Sequence, residues 1–258
     1  MKRYIILPLL LTCILDLQVF AQKDAIVSGT YEFRNGAIYT GELFRGKPNG
    51  RGRTVFTNGD IYEGDYIKSK RDGEGKYIYK NGEYYEGHWT EDTRNGKGTF
   101  YSKNNNIYEG LWFKNKKDGP GTMKYYNGDV YDGNWLNDLR HGEGTYKYKG
   151  GAYYKGQWVN DRKEGKGIFD WRDGQKYDGD WKNDLPMGNC TFYYKSSGEK
   201  YVGEWYQGAN GYGTFYYPDG KSHSGTWFGG MFFEGSGLFQ RLQEIVDKYN
   251  SDTMYTIV

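Results

Sequence analysis

A five-residue motif recurs along this chain at a fixed interval: an aromatic residue, any residue, glycine, any residue and a second large apolar residue. It starts at Tyr39 as YTGEL and returns every 23 residues up to Tyr177. A second motif, Gly-x-Gly, follows each copy in phase, from Gly50 and Gly52 onward. Two motifs that stay in phase predict an array of supersecondary units that pack on one another. There are nine units, which start at Tyr39, Tyr62, Tyr85, Tyr108, Tyr131, Tyr154, Tyr177, Tyr201 and His223.

Each unit is predicted to be a β-hairpin with one aromatic face and one polar face. Side chains alternate along a strand, so Tyr131, Gly133 and Trp135 share a face and the polar residues between them point away. The second strand, 144–148, continues both faces. Glycine weakens a strand, so its regular use indicates that large rings lie flat over bare backbone. A single layer has nothing large to cover those rings, and we expect them to be partly buried.

The composition and the turn signals indicate short strands rather than disorder. The chain has 40 Gly and 28 Tyr, and aromatic residues make up 19% of it, whereas disordered chains are poor in aromatic residues. We expect a loop at 136–141 to join the two strands of a unit. We expect tight Asn-Gly turns, as at 58–59 and 127–128, to lead into the next unit. A lone hairpin cannot bury its rings, so neighbouring units must stabilise one another.

The phased motifs resemble the MORN (membrane occupation and recognition nexus) repeat over residues 30–237. Leu43 and Tyr66 stand where the other units have Trp, Cys190 replaces a glycine, and His223 replaces a tyrosine. The resemblance implies an all-β fold, an elongated, twisted, single-layer antiparallel sheet of about nine tandem β-hairpin repeats. It also implies roles in scaffolding and protein contact, and association with anionic phospholipids.

The two ends of the chain differ from the array. Residues 1–21 place two basic residues before a short apolar run and end in small residues, which is typical of a secretory signal peptide. The array, 22–237, would then belong to an exported protein of the periplasm, the cell surface or the extracellular space. From 238 to 258, apolar residues fall at helical spacing and predict an amphipathic C-terminal capping helix with a short tail. Cys190 would be the one cysteine of the mature chain, so no internal disulfide is expected.

Two sets of residues recur at equivalent positions of the repeat. Basic side chains in the predicted loops would form a stripe, interrupted at Glu91 and Asp92, that could contact an anionic surface. We call this set the basic stripe: Arg45, Lys47, Lys68, Lys70, Arg71, Lys114, Lys116 and Lys117. The aromatic residues of the motif are expected to be structural: Tyr85, Trp89, Tyr108, Trp112, Tyr131, Trp135, Tyr154, Trp158, Tyr177, Trp181, Tyr201 and Trp205.

No catalytic or metal-binding constellation is apparent in the sequence. His88, His141 and His223 lie far apart in the array, and the Gly-x-Gly pairs lack the third glycine and the helix of a phosphate cradle. We therefore expect no enzymatic activity, no metal and no cofactor. A net charge of +2 gives no reason to expect nucleic acid as a partner.

Three functional hypotheses remain. The first is a scaffold that binds an unidentified protein partner or forms a homodimer, because an extended array without an active site suits partner binding. The second is a module that binds anionic phospholipid through the basic stripe. The third is a glycan-binding surface, which requires the aromatic face to be open to solvent.

Overall fold

A computed structural model describes residues 25–195 and 197–233 of the chain, and all regular structure in those residues is β-strand. The prediction of an all-β array of tandem antiparallel hairpins is confirmed. The predicted signal peptide and the predicted C-terminal helix lie outside the described residues. No helix long and apolar enough to cross a membrane occurs in the part that the structure describes.

The chain divides into two compact units at residues 126 and 127, each an antiparallel meander in which consecutive strands pair. Unit 1 contains β1 Ile26–Glu32, β2 Ile38–Phe44, β3 Lys47–Val55, β4 Ile61–Ile67, β5 Lys70–Ile78, β6 Tyr84–Thr90, β7 Thr93–Tyr101, β8 Ile107–Phe113 and β9 Lys116–Lys124. Unit 2 contains β10 Val130–Leu136, β11 Leu139–Lys147, β12 Tyr153–Val159, β13 Arg162–Asp170, β14 Lys176–Lys182, β15 Leu185–Tyr193, β16 Lys200–Tyr206, β17 Ala209–Tyr216, β18 Ser222–Phe228 and β19 Met231–Phe233.

The register within each repeat places glycine opposite glycine. In the hairpin of β10 and β11, Tyr131 faces Tyr146 and Gly133 faces Gly144, and a β-bulge then brings Trp135 opposite Arg140. The same bulge recurs in the other within-repeat hairpins between β2 and β17. On β10 the predicted alternation continues through Trp135, whose ring lies 5.1 Å from that of Tyr131, and the two extra residues of the bulge lie on β11 between Arg140 and Gly144.

The tight turns and the longer loops occupy the opposite places from those predicted. The two strands of a repeat are joined by two residues, such as Asn137 and Asp138, whose φ angles of 51° and 75° suit a type I′ hairpin turn. The Asn-Gly sites lie instead in three-residue loops, in which Gly59 takes a φ of 91° and the amide of Phe56 donates to the carbonyl of Asp60. Asn and Asp tolerate positive φ better than other non-glycine residues, so these two-residue turns form without the Asn-Gly pair on which the prediction relied.

The tyrosine of each motif is completely buried, so the expectation of partial burial was wrong. Tyr131 is 0% exposed, and its ring lies over Gly133 and Gly144; a Cβ at Gly144 would lie 2.3 Å from the Tyr131 hydroxyl oxygen. That hydroxyl donates to the carbonyl of Asn134 at 2.9 Å. The equivalent hydroxyl bond recurs in eight repeats, from Tyr39, Tyr62, Tyr85, Tyr108, Tyr131, Tyr154, Tyr177 and Tyr201.

The tryptophan of the following repeat closes this core. Trp158 is 2% exposed, meets the Tyr131 ring edge-to-face at 5.4 Å, and donates from Nε1 to the carbonyl of Gly144 at 3.2 Å. A large cover is unnecessary because each repeat contributes the ring that covers its neighbour. The same indole bond is made by Trp89, Trp112, Trp158, Trp181 and Trp227.

The repeat that contains Cys190 is the exception. Its side chain stands where the other repeats have a glycine beneath the tyrosine ring, and a Cβ at the facing Gly179 would lie 2.4 Å from the Cys190 Cβ. Trp205 stacks instead on Phe192, at 4.7 Å and 19°, and remains half-buried. Among the described residues, no acceptor is bonded to its indole nitrogen. The departure from the motif therefore has a local structural consequence.

Candidate binding surface

Rings of the second strands form an accessible surface in unit 2. They share the face of the motif aromatics but lie beside the tryptophans, and only Phe192, on which Trp205 stacks, is buried by a ring of the next repeat. Most are half-buried, and Trp171 is 39% exposed. Successive ring centroids lie 4.5–6.0 Å apart. We call this set the aromatic row: Tyr146, Tyr148, Phe169, Trp171, Phe192, Tyr194, Phe215 and Tyr217.

Cationic side chains border the aromatic row. The Arg140 guanidinium lies 4.2 Å from the Trp158 ring and 5.6 Å from the Tyr146 ring. Lys163 lies 5.0 Å from the rings of Phe169 and Trp181, and burial lowers the pKa of its ammonium. The surface thus combines ring faces with a few positive groups. It suits an extended ligand that carries apolar or planar groups and some negative charge or carbonyl oxygens.

The motif aromatics that the sequence singled out are mostly core residues. Six motif tyrosines are 0–1% exposed: Tyr85, Tyr108, Tyr131, Tyr154, Tyr177 and Tyr201. Five motif tryptophans are at most 5% exposed: Trp89, Trp112, Trp135, Trp158 and Trp181. Trp205 is half-buried. These side chains cannot meet a ligand without unfolding of the local hairpin. Most of the second-strand aromatics are partly open to solvent, and their alternate positions after each Gly-x-Gly are the sequence signal that marks them.

Arg71 of the basic stripe is built into the fold. Its guanidinium lies 4.4 Å from the Trp89 ring, its Nε donates to Asp92 at 3.0 Å, and its side chain is 18% exposed. Arg140 makes the same contacts with Trp158 and Asp161. The basic residue of one repeat therefore clamps the tryptophan and the turn of the next. A spacing of 21 residues between the arginine and the turn acid could have indicated this pairing.

The remaining residues of the basic stripe lie in the two-residue turns, or within two residues after them, along one edge of unit 1. Six of them are exposed: Arg45, Lys47, Lys68, Lys70, Lys114 and Lys116. Lys117 is half-buried, and its Nζ lies 5.6 Å from the Tyr108 ring. Acids share this edge, because Lys70 pairs with Glu91 at 3.3 Å and Asp72 accepts the amide of Glu91. The edge carries a mixture of charges rather than an unbroken cationic surface.

The face opposite the rings is less polar than predicted. In unit 1, one apolar residue from each of seven consecutive strands lies directly opposite the next, and Tyr84 stacks on Tyr101 at 4.2 Å. In unit 2, charged residues such as Lys147 and Asp170 interrupt the equivalent positions. The row in unit 1 is Ile38, Val55, Ile61, Ile78, Tyr84, Tyr101 and Ile107.

Chemically reactive groups do not converge in the described residues. No group of three or more His, Cys, Asp and Glu side chains there could hold a metal ion. His88 meets Glu74 at 3.1 Å, whereas His223 stacks on Phe232 at the other end of the repeats. Burial raises the pKa of the Cys190 thiol to about 12, so it is protonated at neutral pH.

Comparison with known proteins identifies the repeat. The family model of the MORN repeat matches residues 39–61, 62–84, 85–107, 108–130, 131–153, 154–176, 177–199 and 201–222. Eight of the nine predicted repeats are thus matched, and the unit that starts at His223 is not. A comparison with curated proteins gives no match.

Three solved structures show a weak likeness to this chain. The TCP domain of SAS-4 from Drosophila melanogaster, in complex with a proline-rich motif of Ana2, is 10% identical over 88% of this chain and 96% of that chain, with a TM-score of 0.34. A streptogramin B lyase is 10% identical over 82% and 84%, and a catalytically inactive virginiamycin B lyase from Staphylococcus aureus is 13% identical over 80% and 71%, both with a TM-score of 0.16. At these scores the likenesses carry no argument.

Proposed function

This chain belongs to the MORN-repeat family, and we propose that it is a non-catalytic scaffold that binds a partner protein along the aromatic row. The family is one of repeat scaffolds, typically for protein or membrane interaction. The observation that carries the proposal is the line of half-exposed rings in unit 2. Rings that already pack on one another lose little conformational entropy when a partner docks.

The layout of the row favours an extended segment of the partner. Tyr148, Phe169 and Trp171 form a run of rings, with centroids 5.7 and 4.5 Å apart, that continues along successive repeats. Aromatic and arginine side chains dominate binding energy at protein interfaces. The rings rest on a core held by hydroxyl, indole and guanidinium bonds, which keeps their positions fixed without the partner.

Replacement of exposed rings tests the proposal. Tyr148, Trp171 and Tyr194 are changed to Ser together, and the matched control changes Tyr153, Tyr193 and Tyr216 to Ser on the opposite face. Natively expressed protein is cross-linked and captured, and bound proteins are quantified by mass spectrometry. We expect a defined set of partners to be lost with the row variant and kept with the control. Equal capture by both variants would contradict the proposal.

A second candidate is glycan binding on the same row, favoured by the exposure of Trp171. Sugar rings stack on exposed aromatic faces, and an exported protein would meet them. Titration of the purified protein with soluble oligosaccharides, followed by tryptophan fluorescence, separates the two candidates. A saturable change that the Trp171→Ser variant loses would support glycan binding, and an unchanged spectrum would leave the protein partner.

We also propose that the scaffold acts in an exported compartment, because residues 1–21 have the layout of a signal peptide. The mature chain would begin near Gln22, with the array at 22–237. N-terminal sequencing of natively expressed protein tests this. Cytosolic protein that retains Met1 would contradict it.

A further inference from the structure

The first strand of unit 1 is the second half of a repeat. Gly29, Thr30 and Tyr31 match the Gly-Thr-Tyr sequence at 144–146. Strand β1 pairs with β2 through Gly29 opposite Gly41 and Tyr31 opposite Tyr39. This is the register with which β3 pairs with β4 in the following repeat. Strand β1 therefore occupies the place of a second strand, whose partner should be a first strand with the aromatic-x-Gly motif.

The sequence before β1 does not carry the motif of such a first strand. One period before Tyr39 and Gly41 stand Asp16 and Gln18, so the sequence does not continue the motif upstream. Among the strands that the structure describes, β1 pairs with β2. The glycine of β1 shows the consequence. A Cβ at Gly52 would lie 2.2 Å from the Tyr39 ring, whereas among the described residues a Cβ at Gly29 would meet only the side chain of Leu43, at 2.8 Å.

The outer edge of β1 lacks the usual protection against pairing. Native edge strands are blunted by charged side chains, proline or bulges. Of the seven residues of β1 only the last, Glu32, is charged, none is proline, and the pairing of β1 with β2 has no bulge. Ile26 and Val27 are 59% and 48% exposed. An extended edge with exposed apolar side chains, charged only at its last residue, is a template for another strand.

We propose that the outer edge of β1 binds an extended segment of a partner protein that carries the sequence aromatic-x-Gly. The segment adds an antiparallel strand with its glycine opposite Gly29 and its aromatic residue opposite Tyr31. Its ring lies over the two glycines, as Tyr39 lies over Gly41 and Gly52. The register of the repeat specifies which sequence the partner segment must carry. The site lies in unit 1, whereas the aromatic row lies in unit 2.

A second copy of β1 does not fit this edge. In a within-repeat hairpin, tyrosine faces tyrosine while glycine faces glycine. An antiparallel pair of two β1 strands that places Gly29 opposite Gly29 brings Tyr31 opposite Val27. If Tyr31 faces Tyr31 instead, Gly29 faces Phe33. No register of the homotypic pair places tyrosine opposite tyrosine and glycine opposite glycine at the same time, so the site favours a strand of the first type.

A peptide copied from the chain tests the proposal. The probe is a fluorescent peptide of residues 128–137, which contains the motif of β10, and the controls are its Tyr131→Ala and Gly133→Val versions and a scrambled sequence. Binding to the full chain is measured by fluorescence anisotropy. We expect the motif peptide to bind at least about tenfold more tightly than each control.

Hydrogen exchange and edge variants locate the peptide. We expect amides of residues 26–32 to gain protection with the motif peptide and not with the scrambled one. Gly29→Val should abolish binding, whereas Thr30→Val, which replaces a hydroxyl by a methyl group on the other face of β1, should retain it. If Gly29→Val does not fold, hydrogen exchange of the unmodified chain shows by itself whether the peptide binds at residues 26–32.

Three results would overturn the proposal. The first is equal binding of motif and scrambled peptides, and the second is protection at other strands with β1 unchanged. The third is a chain that self-associates in sedimentation velocity with β1 already protected in the absence of peptide, which would assign the edge to a second copy.

Discussion

Replacement of Trp158 by alanine removes the ring that closes the core between two repeats of unit 2. The indole is 2% exposed, packs on the rings of Tyr131 and Tyr154, and bonds the carbonyl of Gly144. Truncation of a buried aromatic side chain costs about 3–5 kcal/mol. Arg140 also loses the ring beneath its guanidinium, although it keeps Asp161 as partner. We therefore expect the free energy of unfolding to fall by about 4 kcal/mol.

Two further tryptophans provide matched controls for this change. Trp205→Ala should cost about half as much, because that indole is half-buried and contributes less buried area. Trp171→Ala, at a ring 39% exposed, should cost less than about 1 kcal/mol. Urea unfolding followed by circular dichroism measures all three. Equal costs for Trp158→Ala and Trp171→Ala would refute the assignment of the motif rings as core.

Three other perturbations test separate features. Gly144→Val should lower the melting temperature by several degrees, because its Cβ would lie 2.3 Å from the Tyr131 hydroxyl, whereas Gly150→Val, with no atom within 4 Å, should leave it nearly unchanged. Burial alone would raise the pKa of Asp60, but hydrogen bonds from Lys80, Tyr77 and Asn58 outweigh it and hold that pKa below its usual value. Ionised Asp60 should therefore stabilise the fold above the ordinary pKa of an aspartate, and this contribution should be lost as pH falls through the pKa of Asp60 in the folded chain. Asp60→Asn should flatten this part of a pH–stability curve. The lipid hypothesis predicts salt-sensitive sedimentation with anionic vesicles that weakens when Lys47, Lys68, Lys114 and Lys116 are changed to Ser, and absent binding by the wild type would remove it.

The repeat, its hairpins and its aromatic face could be predicted from the sequence because they depend on local periodicity. Alternation along a strand places Tyr131, Gly133 and Trp135, and a fixed period of 23 residues repeats the placement. Glycine at the position under the tyrosine ring also follows from local geometry, because any Cβ there would meet the ring.

The turns and the binding surface could not be predicted to the same extent. Both central residues of the turn at Asn137 and Asp138 take positive φ, a property that the sequence expresses far less clearly than Asn-Gly. Arg71 has the same sequence context as the exposed lysines of the basic stripe, yet it lies on Trp89 and pairs with Asp92. Its environment depends on contacts with the next repeat, and the sequence of one repeat alone does not reveal those contacts.

The sequence by itself determined the family, the order of the strands and which side chains share a face, because these follow from period-two alternation and a constant repeat length. The tertiary structure decided which of the rings on that face are accessible. Tyr131 and Trp158 are buried because adjacent repeats cover each other, whereas Trp171 on the same face is left exposed. Burial depends on the contacts between repeats, and those contacts exist only when the hairpins are stacked.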